Sequence, residues 1–177
     1  MDKQTNATPV VQLSHVCKSF NVGKPNQIEI LHDIHLELQR GEFCAVMGPS
    51  GSGKSTLLNI IGLLDRPTQG QLRINGEETT QLKDQALTRL RGHAIGFVFQ
   101  HHHLLSAFTA LENIMMPMMG SEGRCTPQIT SRALSLLDSV DLLHLKNQPS
   151  GSLSGGQQQR VAVARALAKG ATESSHE

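Results

Sequence analysis

The apolar residues in the first third of the chain follow the patterns of β-strands. Residues 10–17 and 29–38 alternate or cluster β-forming residues, and the apolar positions of the second segment are mostly spaced by two. Such spacing places them on one face of a strand, so the two segments predict strands of an antiparallel layer. Residues 71–74 predict a further strand, which ends at the turn signal Asn75-Gly76.

Two short apolar segments follow, and the first of them is continuous instead of alternating. They comprise residues 43–47 and residues 94–99. A continuous run is typical of a strand that is covered on both faces, as in a parallel sheet. Both segments therefore predict buried strands, the first of them parallel.

Five segments have the composition or periodicity of helices. They are residues 54–64, 84–91, 110–119, 129–140 and 158–169, with a loop over 120–127 between the third and the fourth. Strands and helices together predict an α/β protein.

Composition and charge argue against several kinds of partner. The 177 residues carry a formal net charge of +1 and only 3% aromatic residues, which provides neither a basic surface nor stacking platforms, so we expect no nucleic acid partner. The three cysteines are widely spaced and fit no metal or disulfide pattern, as in a reducing cytoplasm. No apolar stretch is long enough to span a bilayer, so we expect any membrane association to go through a partner.

A phosphate-binding P-loop lies between the first predicted buried strand and the helix after it. It matches G-x-x-x-x-G-K-[ST] in the context that the motif requires and comprises Gly48, Pro49, Ser50, Gly51, Ser52, Gly53, Lys54, Ser55 and Thr56. Its glycines let backbone N–H groups surround a polyphosphate, and the helix start adds its positive end. Lys54 is expected to reach the β- and γ-phosphates of ATP, and Ser55 to ligate Mg²⁺. The alternative is a Gly/Ser-rich loop that merely connects strand and helix.

A second motif follows downstream and comprises Leu153, Ser154, Gly155, Gly156 and Gln157. Together with the P-loop, it resembles the signature of the nucleotide-binding subunits of ABC transporters. The resemblance implies that residues 154–157 contact the γ-phosphate of ATP held by the P-loop of a second subunit, in a head-to-tail dimer. Free backbone N–H groups at a helix start suit such a contact. The alternative is an ordinary Gly-rich N-cap.

The same resemblance gives roles to Gln100 and Phe20. Gln100 follows the second predicted buried strand, where the family has a glutamine that contacts Mg²⁺ and the attacking water. The alternative is a solvated surface side chain. Phe20 matches the aromatic position that stacks on adenine, with Phe where most members have Tyr. The alternative for Phe20 is a place in the core.

A narrower resemblance, to the lipoprotein-releasing and macrolide-export subgroup, is carried by residues 61–67, 96–105 and 109–114. It implies a bacterial source, a membrane-spanning transporter subunit as partner, and a cytoplasmic location on the inner face of the plasma membrane. Metal binding by the histidine run 101–103 is not expected, because adjacent side chains on a loop diverge. The resemblance implies instead that the run contacts the membrane subunit, which the region around Gln100 faces in the family. The methionines at 115, 116, 118 and 119 predict either an adaptable partner surface or the core of a helical subdomain.

One part of the family pattern is missing. In the family, the signature helix leads into an apolar strand that ends in an acidic pair, the Walker B segment, and later a switch histidine. Residues 171–177 contain no large apolar residue and predict no buried strand. We expect a truncated form, marginally stable, that binds ATP with hydrolysis impaired. The alternative is a non-catalytic nucleotide-binding or partner-capping fragment.

The complete prediction is a P-loop NTPase core, incomplete without the Walker B strand, with an N-terminal antiparallel β layer and a helical subdomain. A flexible N-terminus is predicted over 1–9, the core with its β layer over 10–107, the helical subdomain with the signature over 108–169, and a disordered tail over 170–177. A P-loop ATPase that acts on nucleic acid is not expected, because the chain has no coiled-coil heptads.

Overall fold

The computed structural model describes residues 8–168. The chain divides into two compact units, residues 1–91 and 92–177. The predicted boundary after residue 107 separates the P-loop core from the helical subdomain and stays a prediction. Apart from residues 8 and 9, the predicted flexible N-terminus and tail lie outside the described residues.

The first unit contains a four-stranded antiparallel sheet in the order β2-β1-β3-β4. The strands are β1 (Val11–Phe20), β2 (Ile28–Leu38), β3 (Gln69–Ile74) and β4 (Glu77–Glu78). Leu13 of β1 pairs with Leu36 on one side and Leu72 on the other, and its side chain is buried. The predicted antiparallel layer is therefore confirmed.

A two-residue turn joins β3 to β4. Ile74 pairs with Glu77, and Asn75 and Gly76 between them both have positive φ, 49° and 82°. This is the conformation that Asn-Gly adopts readily in a hairpin whose twist matches that of its strands. The predicted turn is confirmed.

Two helices complete the first unit. They are α1 (Lys54–Ile61), which begins directly after the P-loop, and α2 (Asp84–Ala94). Both predicted helices are confirmed, although α1 ends before residue 64. The Arg66 guanidinium holds the segment between α1 and α2 to the start of α2. It donates hydrogen bonds of 2.6–3.1 Å to two carbonyl oxygens ahead of α2 and to the Asp84 carboxylate.

The predictions of buried strands over 43–47 and 94–99 were wrong: Ala94 is the last residue of α2, and the remaining residues form no strand. Neither 43–47 nor 95–99 pairs with another strand, and Phe43 and Met47 are 95% and 88% exposed. A parallel strand is buried only when neighbouring strands take up its N–H and C=O groups, and residues 8–168 supply no such neighbour.

The second unit is helical. Its helices are α3 (Ala110–Glu122), α4 (Pro127–Ser139) and α5 (Gly155–Leu167). They surround a core that includes Ala110, Ile114, Ala133, Leu137, Val161 and Ala164. The three predicted helices are confirmed, but α3 runs past residue 119 and α5 begins at Gly155, ahead of residue 158. Met115 is buried in this core and Met118 and Met119 pack against it, which favours core packing over a partner surface for these methionines.

Candidate nucleotide-binding site

The P-loop backbone depends on glycine at two positions in particular. Gly51 and Gly53 have φ of 82° and 85°, a region that side-chain-bearing residues rarely adopt. A Cβ atom on Gly53 would also lie 2.9 Å from Leu31 Cδ2 and 3.2 Å from the Ile30 carbonyl oxygen. The loop therefore needs glycine at 53 both for its conformation and for its close approach to β2.

The N-terminus of α1 has no side-chain cap. Its N-cap is Gly53, which offers no acceptor to the N–H groups of the first turn. By contrast, the hydroxyls of Thr109, Thr126 and Ser154 cap α3, α4 and α5. Because the first N–H groups of a helix have no partner within it, those of α1 remain available to an external anion.

Lys54 lies back across its own loop. Its Nζ donates to the carbonyl oxygens of Gly48 at 2.9 Å and Pro49 at 2.7 Å. Ser55, on the same first turn, is exposed. A polyphosphate at the start of α1 would thus meet the Lys54 ammonium, whose present partners are two neutral carbonyl oxygens. It would also meet the Ser55 hydroxyl, which is open to the solvent. The residues present fit such a ligand.

Phe20, the last residue of β1, is 40% exposed, which argues against the core alternative. The Nζ of Lys18 lies 5.1 Å from the centre of its ring. That ammonium is held by Asp65 Oδ1 at 2.6 Å and the Arg66 carbonyl oxygen at 2.8 Å. The ring thus presents apolar surface beside a fixed cation, an environment compatible with a base carrying phosphates.

The signature motif forms the start of α5 with a reciprocal cap. Ser154 N–H donates to Gln157 Oε1 at 2.9 Å, and Gln157 N–H donates to Ser154 Oγ at 3.4 Å. Leu153 is buried in the core of the unit. Gln158, to which the sequence pattern gives no role, donates from Nε2 to the carbonyl oxygens of Ser150 and Leu153, both at 3.1 Å. The turn ahead of the signature is therefore fixed to the helix.

Local structure does not explain the two signature glycines. Gly155 and Gly156 are exposed, neither has a positive φ, and a Cβ atom on either would meet nothing within 4 Å. The alternative of an ordinary N-cap explains Ser154 and Gln157 but does not explain why glycine occupies 155 and 156. The exposed backbone of these two glycines, which no side chain shields, is the part of the motif that indicates an external contact.

Gln100 is exposed in the turn that follows the extended segment 95–99. The histidines after it present their backbone to α5. The Arg165 guanidinium donates to the carbonyl oxygens of His102 and His103, both at 2.7 Å, and burial lowers the pKa of Arg165 from its ordinary value. Arg165 thus supports the turn that carries Gln100. No local sequence pattern indicates this contact, because Arg165 lies more than sixty positions after the two histidines.

The site residues are distributed over both units. Phe20 and the P-loop belong to the first, whereas Gln100 and the signature belong to the second. Within residues 8–168, no helix is both long and apolar enough to cross a membrane.

Comparison with known proteins agrees with these features. The ABC transporter family model matches residues 31–172. The lipoprotein-releasing system ATP-binding protein LolD 1 of Rhodopseudomonas palustris is 64% identical over 159 residues, which cover 90% of this chain and 70% of that protein. LolD of Anaeromyxobacter dehalogenans is 56% identical over 162 residues, 92% of this chain and 67% of that protein.

A solved structure is similar over the same extent. The ATP-binding cassette MJ0796, in a dimeric post-hydrolysis state bound to ADP and Pi, aligns with a TM-score of 0.80 and 45% identity. The alignment covers 90% of this chain and 69% of that one. The chain thus spans roughly 70% of the length of each of these proteins.

Proposed function

The chain belongs to the ABC transporter family, and we propose that it is the ATP-binding subunit of a bacterial transporter for export or lipoprotein release. The observation that carries ATP binding is the uncapped start of α1, at which Gly53 leaves the N–H groups open while Lys54 lies across the loop. A polyphosphate would supply what both lack, an anionic partner.

Two cofactors are proposed, ATP and Mg²⁺. The P-loop residues 48–56 would hold the phosphates, Phe20 would stack on the adenine, and the Ser55 hydroxyl and the Gln100 amide would ligate the metal. When bound, Mg²⁺ neutralises phosphate charge. The work of this chain is to bind and orient: backbone N–H groups and Lys54 position the phosphates, and Phe20 fixes the base. The expectation about Walker B concerns residues 171–177, which lie outside the described part of the chain.

The signature is proposed to complete a site in a second copy. The exposed N-terminus of α5, with no side chain at Gly155 or Gly156, would approach ATP on the P-loop of the partner in a head-to-tail dimer. Small residues let the helix backbone come close to a phosphate, as in other phosphate-binding helix starts.

The proposed association with a membrane subunit rests on the names of the similar proteins. Two of them are named as lipoprotein-releasing ATP-binding proteins, so we propose a membrane-spanning subunit as partner, with this chain at the cytoplasmic face of the bacterial plasma membrane. The exposed turn at Gln100 and the adjoining histidine run are the proposed contact.

Competition between nucleotides tests ATP binding. We expect the full chain to bind fluorescent mant-ATP in the presence of Mg²⁺, and unlabelled ATP and ADP to displace it. AMP should fail at the same concentrations, because the loop N–H groups and Lys54 engage phosphates beyond the first. Absence of mant-ATP binding, or displacement by AMP as effective as that by ADP, would contradict the proposal.

A separate variant tests the role of the signature. We expect Gly156→Ala to reduce ATP-dependent dimerisation at least about tenfold while leaving the melting temperature unchanged or slightly raised, since alanine is favoured over glycine in helices by about 1 kcal/mol. Dimerisation is measured by sedimentation with ATP and Mg²⁺. Gly120→Ala is the matched control, because Gly120 is also exposed and helical, and a Cβ atom added there would meet nothing within 4 Å. Equal dimerisation of the two variants would refute the proposed contact.

A further inference from the structure

Three metal-binding side chains meet on the sheet of the first unit, away from the P-loop sequence. His15 Nδ1 lies 2.9 Å from Asp33 Oδ1, and His35 Nε2 lies 3.2 Å from the same oxygen. The three ligand atoms all lie within 4.8 Å of one another. We propose that His15, Asp33 and His35 form a site for a divalent transition metal of borderline softness, with Zn²⁺ as its representative.

The spacing of the ligand atoms suits such an ion. Zinc bonds to histidine nitrogen and carboxylate oxygen are about 2.0–2.2 Å long, so tetrahedral geometry places ligand atoms about 3.3 Å apart. The two distances to Asp33 Oδ1 are already close to that value. A metal would replace the hydrogen-bonding protons between the rings and the carboxylate. The two ring nitrogens, which lie within 4.8 Å of each other, would turn from the carboxylate oxygen toward the ion.

The strands depart from regular geometry at two of the three ligands. His15 and Asp33 have φ of 53° and 48°, in a region that costs free energy for residues with a side chain. The pairing of β1 with β2 is irregular between Leu13 and Val16, and the next paired residues are Val16 and Ile34. Asp33 and His35 flank Ile34, and the irregularity brings His15 to their side of the sheet.

Further contacts fix the cluster. The Asp33 N–H donates to Cys17 Sγ at 3.3 Å, and the rings of His15 and His35 lie edge to face with their centres 4.2 Å apart. The hydrogen bond from His15, followed by that from His35, lowers the pKa of Asp33. An aspartate carboxylate is ionised at neutral pH even at its ordinary pKa, so Asp33 can act as an anionic ligand.

The site has an open side. The side chains of His15, Asp33 and His35 are 76%, 67% and 52% exposed. Three protein ligands with solvent at the remaining position is the arrangement of zinc sites that accept water or an exogenous ligand. Imidazole and carboxylate donors also suit Cu²⁺ and Ni²⁺, so the donor set selects the class of ion and not one element.

The histidine run 101–103 is the main competitor for metal within this chain. Among the described residues, however, His15, Asp33 and His35 are the one group of three that meets the spacing. His32 is an internal control on β2, because it is 69% exposed and lies near Glu29 rather than in the cluster.

Zinc titration of the full chain without an affinity tag tests the site. Calorimetry with Zn²⁺, in the absence of nucleotide, should give one equivalent of binding. His35→Ala and His15→Asn should each lower the affinity at least about tenfold, because even an outer-shell partner of a metal typically contributes ~10–100-fold. Asparagine is chosen at 15 because it tolerates positive φ. Co²⁺ should give a visible absorption band that both variants lose.

Two controls decide where the metal binds. His32→Ala and the triple replacement of 101–103 by alanine should leave zinc affinity and the Co²⁺ band unchanged, and circular dichroism in EDTA checks that every variant folds as the parent does. Loss of binding only in the triple variant would overturn the proposal. So would unchanged binding in folded His15→Asn and His35→Ala.

Discussion

Replacing Lys54 with alanine is expected to lower ATP affinity by roughly 10- to 100-fold, with little change in melting temperature. A hydrogen bond to a charged group contributes about 1.5–3 kcal/mol, and each 1.4 kcal/mol is a factor of ten in affinity. Lys54 is the only basic residue in 48–56. Its present acceptors are two carbonyl oxygens of an exposed loop, which water can satisfy once the ammonium is gone.

Two further variants separate charge from structure. Lys54→Arg keeps the charge but replaces a compact ammonium with a planar fork, so we expect partial affinity only. Lys83→Ala removes an exposed lysine of the same unit and should bind mant-ATP like the parent. If Lys54→Ala and Lys83→Ala bound ATP equally well, the P-loop would not be the phosphate site.

Local signals in the sequence carried much of the structure. The Asn75-Gly76 turn and the P-loop are each specified by adjacent residues, because turn conformation depends on neighbours within a few positions. The helices of the second unit were recognisable because their apolar faces repeat at helical spacing. The ends were less accurate, as shown by α5 beginning at Gly155.

Features that depend on distant residues were missed. The run 43–47 has the composition of a buried strand, but burial requires partners that its own sequence does not encode. The Arg165 contacts to His102 and His103 join residues more than sixty positions apart. The cluster of His15, Asp33 and His35 likewise depends on a pairing irregularity between two strands, which alternation alone does not reveal.

Asn113 also depends on distant residues, and its loss is expected to have the largest effect on stability. In the sequence alone, it is a polar residue that interrupts an amphipathic helix. It is 1% exposed, and its Oδ1 accepts from the Leu105 N–H at 2.9 Å. Its Nδ2 lies 3.0–3.3 Å from four acceptors, namely the carbonyl oxygens of Leu105, Phe108 and Thr109 and the hydroxyl of Ser150. One side chain therefore joins the segment ahead of α3 to the turn ahead of the signature.

Asn113→Asp is expected to destabilise the chain by roughly 3 kcal/mol, because it leaves a buried carboxylate facing oxygens that have lost their donor. The change preserves shape, so the loss measures hydrogen bonding rather than packing. Urea denaturation followed by circular dichroism gives the free energy of unfolding. Asn147→Asp, at an exposed position of the same unit, is the control and should change it little.

The location of the damage is as informative as its size. The Ser150 hydroxyl accepts a hydrogen bond from Asn113, and the Ser150 carbonyl oxygen accepts one from Gln158. Loss of the first contact should therefore loosen residues 150–154 ahead of α5. Hydrogen exchange in Asn113→Asp should rise over 105–109 and 150–154 and stay unchanged over 48–56. ATP binding at the P-loop should then persist while ATP-dependent dimerisation falls, because the signature loses its support. A uniform rise in exchange along the whole chain would instead mean that Asn113 serves global stability alone.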